Sequence, residues 1–335
     1  MLKTVPDAPP HGACDGAALH EAATWIDLLH ATDAERRLVE QTTGLHVPDR
    51  AELDEIETSS RLYRSGGALH LSTPVVRPGA DGAPEVTPLG FVLSAERLVS
   101  IRFVELPSFD ALAASCRAPD AETRSSAAIF AGILEGVIER LADVLERVGT
   151  DLDRVSHQIF HAAEGKRGTD LKKGRATRGG GRKADRALRA VLRGVGQAGD
   201  LISKLRDTLL AIGRMVPFVI ANAAGWLDPR TVARLEVVRD DIRSLGDYDG
   251  HLSNKVQFLL DATLGFINIE QNEIVKVLTV VSVVGVPPTL VASMYGMNFK
   301  NIPEYDWAWG YEWGLLLIVG SAVASLLWFK LRGWL

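Results

Sequence analysis

The sequence predicts an α+β domain followed by long stalk helices and two C-terminal transmembrane helices. Three observations carry this: β-rich stretches cluster before residue 120, helix-period sequence fills the middle of the chain, and the long continuous apolar runs fall after Ile274. With 47% hydrophobic residues over 335 positions, the average composition resembles that of a soluble protein, and only the distribution reveals the difference.

Residues 1–120 read as a compact α/β unit. Helix-like "EAATWIDLLHATDAERRLVEQTTG" (21–44) precedes the β-rich "ALHLSTPVV", "PLGFVLS" and "RLVSIRFVEL", with turns expected at Asp81-Gly82 and from Ser94 to Arg97. Residues 121–227 read as a helical hairpin, with helices from about Ala121 to His161 and from about Ala184 to Met215. Its tip, 164–183, is basic and glycine-rich and is expected to be flexible. A last helix begins at Asp228, with Pro229 in its first turn, and residues 228–294 form one stalk helix continuing into a membrane span.

From Ile274 to Met294 the chain is apolar apart from Lys276 and four hydroxyl residues, roughly 31 Å of helix at 1.5 Å per residue, enough for a bilayer core. Residues 313–335 supply the second span, "WGLLLIVGSAVASLLW", bracketed by tryptophans, and a short tail. The connecting loop, 295–312, holds Lys300 against Glu304, Asp306 and Glu312, whereas Lys330 and Arg332 follow the second span. Basic residues mark the inner side, so the loop faces outward and both termini are expected in the cytoplasm. The N-terminus lacks the apolar core of a secretory signal. Two cysteines, Cys14 and Cys116, are too few for a disulfide framework or zinc site, and a net charge of −5 argues against a nucleic-acid partner.

Within the first span the polar residues are ordered. Thr279, Ser282, Thr289 and Ser293, with Asn272, Val275 and Val286, recur at intervals of three and four residues and share one helix face. The same frame extended backward reaches Asn268, Gly265 and Asp261. A hydrophilic seam of this kind suits a wet axis shared by several copies; the alternative is that each hydroxyl satisfies itself on the carbonyl four residues earlier. Pro287 and Pro288 remove the amides that would bond the carbonyls of Val283 and Val284, which either leaves those oxygens available to a cation or simply kinks the helix. Beyond the seam, Gly296 permits a tight turn and Asn298 offers a neutral carbonyl. Repeated around an axis, such groups form a ring of oxygen dipoles able to bind hydrated Mg²⁺ through its waters. Glu304 and Asp306 raise the local cation concentration.

"YGMNF", set after a proline-containing apolar span and before "PE", a tryptophan-rich loop and a final span ending "KLRGWL", resembles the CorA family of magnesium transporters. The similarity is densest from "GFINIEQNEIVKVLTVVSVVGVPPTLVASMYGMNF" to the C-terminus. It implies a homopentameric, funnel-shaped channel in the plasma (inner) membrane. Mg²⁺ influx would run down the electrochemical gradient, with Co²⁺ and Ni²⁺ as further passengers. Gly296, Met297 and Asn298 would form the selectivity entrance, and Asn272, Leu278, Val286 and Thr289 match pore-lining positions, Leu278 by resemblance alone. Asp261 matches an acidic or polar position inside the funnel. The family's regulatory Mg²⁺ binds between subunits, and "ELDEIE" and "VRDDIRSL" resemble the segments that hold it, nominating Asp54 or Glu55 with Asp240 or Asp241.

A zinc transporter of the ZntB type shares the architecture, though intact "YGMNF" favours magnesium; a membrane-tethered scaffold would tolerate replacement of Asn298. An enzyme is not expected, since no nucleophile, base and oxyanion-donor grouping emerges. "GVGQAG" fits a dinucleotide pattern but follows helix-like sequence, and "HQIFH" lacks a zinc hydrolase's glutamate. Ten basic residues between Lys166 and Arg189 are read as a mobile loop able to touch anionic lipid or nucleic acid.

Overall fold

A computed structural model describes residues 2–5, 23–55, 57–79, 83–116, 125–170, 180–297 and 307–334; at 5, 58–59, 161–170 and 180–187 only the backbone is described. The chain divides into two compact units, 1–260 and 261–335.

The first unit holds a six-stranded sheet in the order β1-β2-β6-β5-β4-β3. Its strands are β1 (Leu2–Val5), β2 (Trp25–Leu29), β3 (Leu62–Ser65), β4 (Ala68–Pro78), β5 (Pro84–Leu93) and β6 (Leu98–Arg102). All neighbours are antiparallel except β2 and β6. The three expected β-rich stretches correspond to β4, β5 and β6. Ser94 N–H donates to the Arg97 carbonyl at 2.9 Å in the expected turn between β5 and β6. The other expected turn, Asp81-Gly82, lies outside the described residues.

One expectation is corrected. The stretch 21–44 is not a single helix: Trp25–Leu29 is a strand and only Asp33–Thr43 (α1) is helical. All five residues of β2 are buried, and a short fully buried apolar run has no period that separates strand from helix. Parallel pairing with β6, from Trp25↔Leu98 to Leu29↔Arg102, decides the matter. The true helix start is a capping box: Thr32 Oγ1 accepts from Glu35 N–H at 3.3 Å, while the Glu35 carboxylate accepts from Thr32 N–H at 2.9 Å. Gly44, in the left-handed region at φ 66°, ends α1. Strand β3 also escaped the sequence reading. It is joined to β4 by Gly66-Gly67, both at positive φ as a tight hairpin turn requires.

Two short helices, α2 (Arg50–Leu53) and α3 (Thr58–Arg61), separate α1 from β3, and α4 (Pro107–Cys116) follows β6. Leu53 sits over Gly90 of β5 so closely that a Cβ on Gly90 would lie 2.6 Å from Leu53 Cδ2. The Leu53 carbonyl accepts from Ser72 Oγ of β4 at 2.9 Å. These two contacts peg α2 to the sheet.

The helical hairpin is α5 (Ser126–Asp170) and α6 (Gly180–Asn222). Its arms run further toward the tip than expected, with helical backbone over 164–170 and 180–183; residues 171–179 lie outside the described residues. Buried Leu134, Leu145 and Leu152 on α5, and Val195, Leu205 and Ile212 on α6, provide the apolar faces. Helix α7 (Pro229–Tyr295) starts where the sequence places it: Asp228 accepts from Thr231 N–H at 2.9 Å and from Thr231 Oγ1 at 2.6 Å. Helix α8 (Gly310–Leu331) completes the second unit.

Candidate functional site

Helix α7 continues through Pro287 and Pro288 to Tyr295, so the seam residues share one unbroken helix. From Val275 onward the half-buried positions Val280, Val284, Pro287, Val291 and Tyr295 recur every three or four residues and mark its sheltered face. At 3.6 residues per turn the seam of Val275, Thr279, Ser282, Val286, Thr289 and Ser293 lies on the opposite side. Except for half-buried Thr279, these seam residues are exposed, as are Asn272, Leu278 and Asp261. Helix α8 also shelters one face, at Gly314, Ile318, Ser321, Ser325 and Phe329. Small residues on such a face allow close helix packing. The hydroxyl seam is therefore turned away from the surface that this protomer covers.

Two seam hydroxyls have settled hydrogen bonds. Thr279 Oγ1 donates to the Val275 carbonyl, and Thr289 Oγ1 to the Gly285 carbonyl, each at 2.8 Å. The self-satisfying alternative is thus realised at these two positions, but it uses only the donor. Each hydroxyl oxygen keeps acceptor capacity. At the helix end, Gly296 N–H donates to the Ala292 carbonyl at 3.0 Å and Met297 N–H to the Met294 carbonyl at 3.3 Å. A Cβ on Gly296 would lie 3.3 Å from the Ala292 oxygen, a tight approach. Asn298, Glu304 and Asp306 lie outside the described residues.

Both α7 and α8 contain stretches long and apolar enough to cross a membrane. A family model described as "CorA-like Mg2+ transporter protein" matches residues 20–331. The chain belongs to this family. Magnesium transport protein CorA of Escherichia coli (strain K12) is 34% identical over 316 residues, covering 93% of this chain and 92% of that protein. Its namesake from Yersinia pestis is 33% identical over 314 residues, covering 94% and 92%. Among solved structures, the complete structure of CorA magnesium transporter from Methanocaldococcus jannaschii superposes with a TM-score of 0.73 at 18% identity, covering 93% of this chain and 91% of that one. The full-length CmaX protein gives 0.63 at 17% identity, covering 92% and 88%. At these identities the structural matches establish the fold: an α+β domain, long helices and two C-terminal apolar helices. CorA-like chains are transporters, and this one is a membrane protein.

The regulatory candidates of this CorA-like chain are all exposed in the protomer. Asp54 caps α2, its carboxylate 3.7 Å from Arg50 Nε, while Glu55 offers its backbone carbonyl to Arg61 Nε at 2.6 Å. Asp240 lies 3.5 Å from Arg239 Nε, and Asp241 borders a pocket of about 360 Å³ with Glu135 and Glu139. Among the described residues no three His, Cys, Asp or Glu side chains converge within one protomer. Exposed carboxylates of this kind can hold a divalent ion that keeps most of its water ligands.

Sequence reasoning missed the parts that hold the Asp54-Glu55 segment in place. His46 bridges α1 and α2, with Nδ1 2.9 Å from Glu40 Oε1 and Nε2 3.0 Å from Glu52 Oε2. Glu52 raises the His46 pKa most, with Glu40 acting in the same direction; the Val47 amide, and then His46, lower that of Glu40. Behind His46, buried His70 stacks on Tyr63 with ring centroids 4.6 Å apart, and burial lowers its pKa. Only the capping box, Asp49 with Glu52, left a readable sequence signal.

Proposed function

We propose that the chain forms a homo-oligomeric ring of five copies that passes Mg²⁺ into the cytoplasm through an axis lined by α7, with Co²⁺ and Ni²⁺ as further passengers. The observation that carries this reading is the hydroxyl seam on the face of α7 opposite its sheltered side, leading into Gly296 and Met297. The relatives named magnesium transport proteins support Mg²⁺ as the cargo. Membership of a transporter family, rather than a catalytic constellation, argues against an enzyme.

In this proposal Asn272, Leu278, Thr279, Ser282, Val286, Thr289 and Ser293 line the pore, Asp261 keeps its inner continuation hydrophilic, and Gly296, Met297 and Asn298 form the outer entrance. Hydrated Mg²⁺ sheds water reluctantly and presents water hydrogens outward. Thr279 and Thr289 suit that surface, because their own hydrogens are committed to carbonyls and their oxygens can accept. Glu304 and Asp306 concentrate cations at the approach, and both termini lie in the cytoplasm. A divalent ion moving inward across roughly 100 mV releases about 4.6 kcal/mol, so no fuel is needed. Internal Mg²⁺ closes the channel by joining Asp54 or Glu55 of one subunit to Asp240 or Asp241 of its neighbour.

The test is divalent uptake into liposomes holding the purified protein, comparing wild type with Asn298→Ala. Mg²⁺ flux is expected in the wild type and lost in the variant. Absent wild-type flux, or flux indifferent to the substitution, would overturn the pore reading; Zn²⁺ flux without Mg²⁺ flux would favour the ZntB type.

A further inference from the structure

Away from the seam and the regulatory carboxylates, the first unit contains a cavity of about 330 Å³ between the β4–β5 hairpin, α5 and α6. Val75 and Val76 of β4, Val137, Leu141 and Val144 of α5, and Leu205 of α6 form an apolar lining. The volume is at the small end for ligand sites, room for roughly ten heavy atoms at about 30 Å³ each.

The charged lining is unbalanced. Arg77 is bound by Glu85 across the β4–β5 pair, and Asp151 by Arg154 at 2.7 Å. Arg140 and Arg147, about two helical turns apart on α5, take part in no ion pair among the described residues; Arg147 Nε donates only to the Asp143 carbonyl, at 3.1 Å. Ser108 of α4 also borders the cavity, and its buried Oγ has no hydrogen-bond partner among the described residues. An apolar chamber with two uncompensated guanidinium groups and an unused hydroxyl complements a ligand with an apolar body and an anionic head. Guanidinium matches carboxylate geometry in particular.

We propose that this cavity binds a small amphiphilic carboxylate, an aryl or short acyl acid of about ten heavy atoms, with its carboxylate held by Arg140 and Arg147 and its apolar body between α5, α6 and β4. The site shares no residue with the proposed ion pathway, and its occupation ties the sheet to the helical hairpin.

The full-length protein in lipid nanodiscs would be titrated with 4-phenylbutyrate and, as a charge control, 4-phenylbutylamine, with empty nanodiscs subtracted. Calorimetry and ligand-observed NMR should show saturable binding of the carboxylate, one per protomer, and none of the amine. Arg140→Gln with Arg147→Gln should weaken binding about tenfold or more, and Val144→Trp, which fills the chamber, should abolish it; assembly size is checked for each variant. A surface double variant that stays assembled keeps the test valid even where the tryptophan disturbs packing. Absence of saturable wild-type binding up to roughly 10 mM, equal binding of the amine, or binding indifferent to the two arginines would overturn the proposal.

Discussion

Arg102 grips Asp27 on the adjacent parallel strand inside the sheet, with Nη2 2.8 Å from Oδ2 and Nε 3.1 Å from both carboxylate oxygens. The arginine is 1% exposed and lies under Phe109, while Ser100 Oγ and Trp25 Nε1 extend the chain of hydrogen bonds. Removing one partner strands a buried charge. Arg102→Met is expected to cost about 3–5 kcal/mol, and the added change Asp27→Leu to restore most of it. Thermal unfolding of the single and the double variant in detergent checks this; equal loss in both would show that packing, not charge, dominates.

Thr279→Val and Thr289→Val keep shape and remove the hydroxyl. If their oxygens face hydrated cations, each should lower Mg²⁺ flux several-fold, on the order of 1 kcal/mol per lost hydrogen bond, without changing assembly. Unchanged flux in both would confine the hydroxyls to their helix carbonyls.

Neutralising Glu55 and Asp241 together, as Glu55→Gln with Asp241→Asn, should leave flux at low internal Mg²⁺ intact and raise the concentration needed for inhibition. Dose–response curves in liposomes loaded with graded Mg²⁺ read this directly. Unaltered inhibition removes the pair from the gate.

Gly90→Ala should reach the same segment from the sheet beneath it. The new methyl would collide with Leu53, displacing α2 or costing about 1–3 kcal/mol. Reduced thermal stability together with a shifted Mg²⁺ inhibition curve is expected, and Leu53→Ala in the same chain should relieve part of both effects.

The His46 bridge makes stability weakly dependent on pH. Its folded pKa is raised, so its contribution is complete below the ordinary value of 6.5 and is lost as pH rises through the raised value. Glu40 is lowered, so its contribution is complete above the ordinary 4.5 and is lost as pH falls through the lowered value. The bridge is therefore strongest between pH 4.5 and 6.5. Because His46 is half exposed, its worth stays below about 1 kcal/mol. His46→Gln should flatten the melting temperature across neutral pH, and a profile matching wild type would dismiss the bridge.

Elements with a sustained period or a recognisable cap were legible in the sequence. Asp228 and Pro229 announced α7, and alternating β-rich sequence announced β4 and β5. By contrast, β2 was hidden by its uniform burial, and β3 is only four residues long. The seam could be read because helical spacing alone puts its members on one face. That the face opposes the sheltered side could not, since it depends on which residues α7 covers. The His46 bridge and the Gly90 contact join residues brought together by tertiary packing, which leaves no local pattern.

The sheet's borders have a consequence for crowding. Strands β1 and β3 close its two edges with four residues each, and β3 pairs only with Ala68–Leu71 of β4. The rest of that β4 edge carries Pro74 and Pro78, which have no N–H to offer an incoming strand. Copies held side by side at high local concentration thus find little free backbone on one another.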